Sequence, residues 1–471
     1  MQSQSPSEWC RVTCEQIVID PKADIVDGPF GSNLKASEYT DSGVPIARIQ
    51  NVKRFKFIDK NIRFVTSTKA EELKRHSFIG GDILITKLGD PLGLACEVPN
   101  SFDSGIIVAD LVRLRANSSV FSKKFIIYLL NSPVVIAQLE KHIKGSTRPR
   151  INLGIIRGLE LPLPPLAEQE EIAHRLEIML AQVESTQARL ARIPDIIKRF
   201  RQSILAAAVS GKLTEEWRAE QCISLDEWEL TDIGALAEVS TGKTPPRNNI
   251  DYWENGSIPW LTSAATGEPF TYEATQFVTE QAVKECTLKI FPKGTLLLAM
   301  YGEGKTRGQV TEVKISATCN QACAAILVNT SRVSLEFLKL RIQENYEETR
   351  KVAVGGAQPN LNLSKVREIP VSLPNCREQT EIVRRVEQLF AYADTLEQQA
   401  KAAKERVDNL TQAILAKAFR GELTSDWRTA NPDLISGDNS AAALLARIQA
   451  ERATASGKKG KRGTSKTRTT A

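Results

Sequence analysis

Apolar residues recur at two different periods along this chain, and the longer period comes first in the argument. Through residues 159–218 they step by four and three: Ile172, Leu176, Met179, Val183, Thr186, Leu190, Ile193, Ile197, Phe200 and Ile204. The same steps return 210 residues later at Ile382, Val386, Leu389, Ala393, Leu396, Ala400, Ala403, Val407, Leu410 and Ile414. A seam of this period is one face of a long helix that needs a partner helix, and the simplest partner for each copy is the other copy. The seam assigned to that pairing is Ile172, Leu176, Met179, Val183, Leu190, Ile197 and Ile204 with Ile382, Val386, Leu389, Leu396, Val407, Leu410 and Ile414. About 40 helical residues at 1.5 Å each make a rod of ~60 Å. Pro164 and Pro374 precede the helices, and Gly211 and Gly421 stop them. Pro194 falls inside the first helix and predicts a kink or break there. The plainer reading of such a seam is a coiled coil that serves only dimerisation.

Outside the long helices the period drops to two. VPIARIQNV, GGDILITKL and ADLVRLR read as short strands separated by Gly and Pro turns. FSKKFIIYLLNSPVVIAQLEKHIKG reads as helix broken at Pro133. The grammar then repeats. IPWLTSA matches VPIARIQ, FPKGTLLLAMYG matches FIGGDILITKLG, and GGAQPNLNLSKVREIPVSLP matches GSTRPRINLGIIRGLELPLP. The segments are a globular unit at 1–159, a long helix at 160–218, a second globular unit at 219–367 and a second long helix at 368–428. A short helix at 429–455 and a disordered basic tail at 456–471 complete the chain. The helix ends agree closely between copies, whereas the globular units share layout but little sequence. That contrast describes one scaffold holding two versions of a reader.

Charge adds detail rather than an answer. The net charge of +6 divides into +6 for residues 1–159, −1 for 160–218, −3 for 219–367 and +4 for the remainder. Bulk charge therefore does not announce a nucleic-acid binder, and any such surface must come from local clustering. The basic tail either touches phosphates non-specifically or aids solubility. No run of about 18 apolar residues predicts a membrane span, and MQSQSPSEWC lacks the regions of a signal peptide, so a cytosolic protein is expected. Cys10/Cys14 and Cys319/Cys323 are pairs with zinc-like spacing, but the only histidines are His76, His142 and His174, far from both pairs. Reduced thiols and no metal are expected.

Catalytic patterns fail one by one. AMYGEGKT at 299–306 fits a loose phosphate-loop pattern, but such a loop opens a helix, and the β-like GQVTEVKI follows. Its repeat mate LITKLGDPLGLA lacks Gly-Lys-Thr. No Asn/Asp/Ser-Pro-Pro-aromatic methyltransferase signature exists. Asp195 and Lys198 lie on the heptad helix and read as surface charge. No active site is expected. Recognition remains, carried by glycine-punctuated turns rich in polar and basic residues. The candidates are Asn33 and Lys35 with Lys243 and Arg247, Lys87 with Lys305 and Arg307, and Arg148 and Arg150 with Gln358 and Asn360. Arginine bonds guanine edges in pairs, Asn and Gln do so with adenine, and Lys mainly positions on phosphate.

The strings AILAKAFRGELTSDWR with SILAAAVSGKLTEEWR, LPLPPLAEQ with VSLPNCREQ, GAQPNLNLS with GSTRPRINL, and TGKTPP before IPWL carry a resemblance over nearly the whole chain. In two copies at this spacing the chain resembles the specificity subunit of a Type I restriction–modification enzyme. The resemblance implies an α+β fold. Two similar mixed α/β target-recognition domains would be separated by two long antiparallel coiled-coil helices, in a pseudo-two-fold internal repeat. It implies a non-catalytic subunit that reads a bipartite double-stranded DNA target, one half per domain, with the helix pair setting the spacer. Two modification subunits would dock on it and restriction subunits would join. S-adenosylmethionine, ATP and Mg are expected on those partners and no cofactor in this chain. The basic C-terminal tail departs from the family pattern. The competing reading is a two-domain coiled-coil adaptor with no DNA role.

Overall fold

A computed structural model describes residues 6–89, 91–117, 120–142, 150–301, 306–346 and 361–462. The chain divides into two compact units, Met1–Arg189 with Ala403–Ala471, and Leu190–Ala402. These units cut across the segments read from the sequence, because the seam residues of both long helices are absorbed into the two globular cores.

In the first unit, strands β1 (Ile25–Asp27), β2 (Ile83–Thr86), β3 (Ala95–Glu97) and β4 (Leu111–Leu114) form a sheet in the order β1-β4-β2-β3. All its pairs are antiparallel, with Val112 opposite Asp27 and Leu84 opposite both Arg113 and Cys96. ILIT in β2 is buried throughout, as a strand covered on both faces must be. In the second unit β5 (Ala237–Thr241), β6 (Phe270–Thr271), β7 (Leu296–Ala299), β8 (Val310–Val313) and β9 (Cys323–Val328) are ordered β5-β9-β7-β8-β6. The first four repeat the order of the first unit, and β6 adds a parallel edge strand. A second small sheet also repeats. Val44–Ala47 runs parallel to Gly105–Ile107 in one unit, and Ile258–Leu261 runs parallel to Thr318–Cys319 in the other. The expected α+β repeat is therefore present in backbone topology, where sequence identity had faded.

The helical segments follow the sequence closely. α1 (Lys123–Leu130) and α2 (Pro133–Glu140) are separated at Pro133, which sits in the first turn of α2. α3 (Leu166–Leu190) ends just before α4 (Ile193–Val209), with Pro194 in the first turn of α4, so the break falls where its missing N–H predicts. Gly211 terminates α4 at φ +76° before α5 (Glu215–Gln221). α6 (Leu335–Glu344) is the second unit's counterpart of α1. α7 (Cys376–Phe419) is one unbroken helix of 44 residues, stopped by Gly421 at φ +77°. α8 (Ser425–Ala430) follows. α9 (Ala441–Arg462) continues past residue 455, where a disordered tail was expected.

Pairing of the two copies is antiparallel within each unit. In the first, the Arg175 guanidinium donates to the Leu423 carbonyl (2.7 Å) and to Asp426 (2.9 Å), and Gln187 donates to Asp408 (2.9 Å). In the second, Arg201 pairs with Glu397 (3.1 Å) and Asp394, and Arg385 donates to the Leu213 carbonyl (2.9 Å). Ile172, Leu176, Val183 and Ile414 join the core of the first unit, and Met179 and Val407 pack on it. Ile204, Ile382 and Val386 join the core of the second, with Leu389 against it, and Ile197 is also buried. Leu190 and Leu396 are half-buried. Leu410 departs from the expected seam: it is 42% exposed. The Gln187–Asp408 contact brings the exposed, polar Thr186 near its level.

A buried four-residue lock closes each unit, built from the strings shared by the two copies. Glu378, fully buried, accepts from Arg218 (2.6 Å), Thr214 (2.7 Å) and the Trp228 indole N–H (2.9 Å). Glu168 accepts from Arg428 (2.5 Å), Thr424 (2.7 Å) and the Trp9 indole (2.8 Å). Each carboxylate thus ties the start of one long helix to the segment that follows the other. Beside it, the side-chain amides of Gln169 and Gln379 donate to the carbonyls of Pro164 (3.0 Å) and Pro374 (2.8 Å). This explains why Glu-Gln and Leu-Thr-x-x-Trp-Arg recur together.

Candidate nucleic-acid interface

The loops singled out in the sequence meet at one end of the main sheet in each unit. In the first unit Gly28 N–H donates to the Leu111 carbonyl (3.1 Å), Lys87 N–H to Asp110 (2.8 Å), and Ile151 N–H to Lys87 (3.0 Å). Leu88 and Arg150 form an isolated bridge. The turn after β1, the loop after β2 and the segment reaching Arg150 therefore converge. In the second unit Met300 N–H donates to Ala322 (2.8 Å) and Leu361 N–H to Met300 (3.3 Å), while the Thr244 hydroxyl donates to Gln321 (2.5 Å). The turn after β5, the loop after β7 and the segment reaching Leu361 converge in the same way. Gly28 and Gly242 both open their turns where a side chain cannot fit: a Cβ would lie 2.0 Å from the Val108 carbonyl oxygen and 1.7 Å from that of Cys319.

The side chains on this shared frame differ. In the first unit Asn33 and Lys35 are exposed on the turn. Arg150 is exposed and donates to Asp110 (3.1 Å). Lys87 is a correction. Its side chain is 7% exposed and ion-paired with Asp27 at 3.0 Å, so its ammonium ties the end of β2 to the end of β1 instead of standing exposed on the loop. In the second unit Lys243 is exposed and donates to Thr287 (2.7 Å), and Arg247 is exposed and stacked on Trp253. Arg307 is half-buried. Arg148, Lys305, Gln358 and Asn360 lie outside the described residues.

Sequence reasoning missed Phe30, which is 80% exposed at the tip of the first turn, and Gln276, Trp253 and Trp260 beside the second. The density of aromatics in DYWENGSIPW just after a basic turn was the available signal. Residues 302–305 of the phosphate-loop pattern lie outside the described residues; among the residues described between β7 and β8 no helix begins, so none of them offers a helix N-terminus to a phosphate. Cys319 and Cys323 are buried strand residues whose thiols burial pushes up, Cys319 to about 12. No cluster of metal-ligating side chains occurs among the described residues.

Comparison with known proteins agrees with this geometry. The Type I restriction modification DNA specificity domain matches residues 32–195 and again 225–405. The chain is 39% identical to the Type I restriction enzyme EcoDI specificity subunit of Escherichia coli, over 72% of this chain and 79% of that protein. It is 34% identical to the StySPI specificity subunit of Salmonella potsdam, over 89% and 91%. It is also 34% identical to the EcoBI specificity subunit of Escherichia coli, over 96% and 94%. Among solved structures, an HsdS subunit from Thermoanaerobacter tengcongensis has the same fold at 18% identity, with TM-score 0.58 over 89% of this chain and 98% of that one. A chain from a type I R-M system, in a study of its complex assembly and conformational transition, matches at 18% identity with TM-score 0.64, over 89% and 99%.

Proposed function

This chain belongs to the specificity-subunit family of Type I restriction–modification systems, and from that membership we propose that each of its two units reads one half of a bipartite target in double-stranded DNA. The observation that carries this is the pairing of like frame with unlike surface. The same loops converge in both units, yet one presents Phe30, Asn33 and Lys35 and the other Lys243, Arg247 and Gln276. Two readers with one architecture and different donor and acceptor sets read different sequences. Methyl transfer and cleavage then belong to partner subunits, together with S-adenosylmethionine, ATP and Mg. No helix among the described residues is long and apolar enough to cross a membrane, and the work proposed is in the cytoplasm, where the DNA is.

The swap of one reader tests this. Replacing residues 1–159 with those of a relative is expected to change one half of the methylated motif in a host's methylome and leave the other half intact. A change in both halves would show that the units do not read independently.

The partner subunits need a surface present twice. Of six tryptophans, Trp9, Trp228, Trp253 and Trp260 donate their indole N–H within the chain. Trp217 on α5 and Trp427 on α8, equivalent in the repeat, make no such bond among the described residues, and both are half-buried outside the main cores. Identity at both positions without an internal hydrogen bond fits one modification subunit on each. Native mass spectrometry of the co-purified complex is expected to show loss of one modification subunit on Trp217→Ala and of both on the double substitution. Retention of both by the double variant would remove these residues from the interface.

A further inference from the structure

We propose that Arg247 and Gln276 together read a guanine in the half-site of the second unit; this rests on the DNA-reading function proposed above and names the base that the site takes. The turn that carries Arg247 is built around it. The Trp260 indole, 3% exposed, donates to the Lys243 carbonyl (3.0 Å) and the Trp253 indole donates to the Pro246 carbonyl (3.1 Å). The two rings meet edge to face at 5.1 Å and 89°. The Arg247 guanidinium lies 3.8 Å from the Trp253 ring centre and 4.7 Å from that of Trp260. One of its terminal nitrogens donates to the Gln276 side-chain oxygen (2.8 Å). Gln276 sits directly across the strand pair from Trp260.

Two consequences follow from this arrangement. A long side chain that is already stacked and tethered loses little freedom when it meets a ligand, so its planar fork is preorganised for a planar acceptor pair. The bond from Arg247 occupies one of the two lone pairs of the Gln276 amide oxygen and turns that oxygen toward the guanidinium, which leaves the NH2 group on the other arm of the amide to donate. Arginine has no acceptor, so the pair is rich in donors. In the major groove an edge that presents two acceptors, N7 and O6, belongs to guanine; adenine shows a donor at N6 and cytosine a donor at N4. The corresponding turn of the first unit, Gly28 through Lys35, has no arginine and no tryptophan. A contact made only to phosphate would serve both units alike, and this one is confined to a single unit.

The test uses the whole chain with its modification subunits in a host lacking other adenine methylation, read by methylome sequencing. In Arg247→Ala and in Gln276→Ala, discrimination at one guanine position of one half-site is expected to fall by roughly ten- to a hundredfold, with the other half-site unchanged. Arg247→Lys keeps the charge and loses the fork and the stack, and is expected to relax the same position. Lys243→Ala is expected to lower methylation evenly at all sites. An unchanged motif in Arg247→Ala, or an even loss across all sites that Arg247→Lys restores, would overturn the proposal, the second result assigning Arg247 to a phosphate. If Arg247→Ala yields no intact complex, Gln276→Ala decides, and an unchanged motif there overturns it. If the unaltered chain directs methylation to no bipartite motif, the DNA-reading function itself fails, which is a separate result from any of these.

Discussion

Glu378→Ala is expected to destabilise the second unit by about 3–5 kcal/mol, the cost of leaving one member of a buried ion pair without its partner. The Arg218 side chain is 7% exposed and Glu378 is fully buried, so water cannot replace the lost carboxylate. Thr214 and the Trp228 indole lose their acceptor in the same step. The effect should be local. Hydrogen exchange is expected to rise in residues 214–228 and at the start of α7, while residues 10–163 keep their protection. Glu168→Ala is the mirror experiment and should loosen Arg428, Thr424 and Trp9. Replacing Glu378 and Arg218 together by methionine should recover only the part of the loss that comes from the unpaired Arg218 charge, because Thr214 and the Trp228 indole still lack their acceptor. Stability within 0.5 kcal/mol of the unaltered chain in Glu378→Ala would show that the lock does not hold the unit.

The second large effect concerns the unread gap between half-sites. Four residues inserted into each copy of the long helix, near 190 and near 402, are expected to abolish methylation of the native motif and create activity on one with a longer gap. The insertion adds ~6 Å and just over one helical turn, so the seam stays nearly in phase. That length is close to the rise of two base pairs. Both copies must be lengthened, since the antiparallel pairing would otherwise slip. The half-sites themselves should not change, because no side chain of the reading loops is touched. A methylome in which the half-sites alter and the gap stays constant would mean that the helices do not set the spacing.

The repeat is legible in the sequence because the long-helix strings serve two constraints at once. Ile172 and Ile382 must be apolar for the seam, and Glu168 and Glu378 must meet an Arg and a Thr from the opposite copy. Sequence drift is slow where so many partners must change together. The readers were less legible. Their topology is the same, but strands of two to six residues leave a weak periodic signal, and the turn residues were free to diverge. Lys87 shows the limit of reading charge from a string: the sequence places a lysine after a strand in a Gly-rich loop, and only the fold puts Asp27 beside it. Leu410 shows the converse, an apolar seam position whose partner level is polar.

Local patterning alone determined where the long helices start, break and stop, that they come in two copies, and that the globular units share a layout. These follow from proline, glycine and apolar spacing, which act over one or two turns of chain. Tertiary structure alone decided that each unit is closed by parts distant in sequence, the segment that follows the second long helix completing the first unit through Arg428 and Glu168. It also decided which basic residues are exposed and that Arg247 is held by Trp253, Trp260 and Gln276. Contacts between residues far apart in the chain have no period to betray them; they exist because burying a charge or stacking a long side chain is favourable only once its partners have been brought alongside.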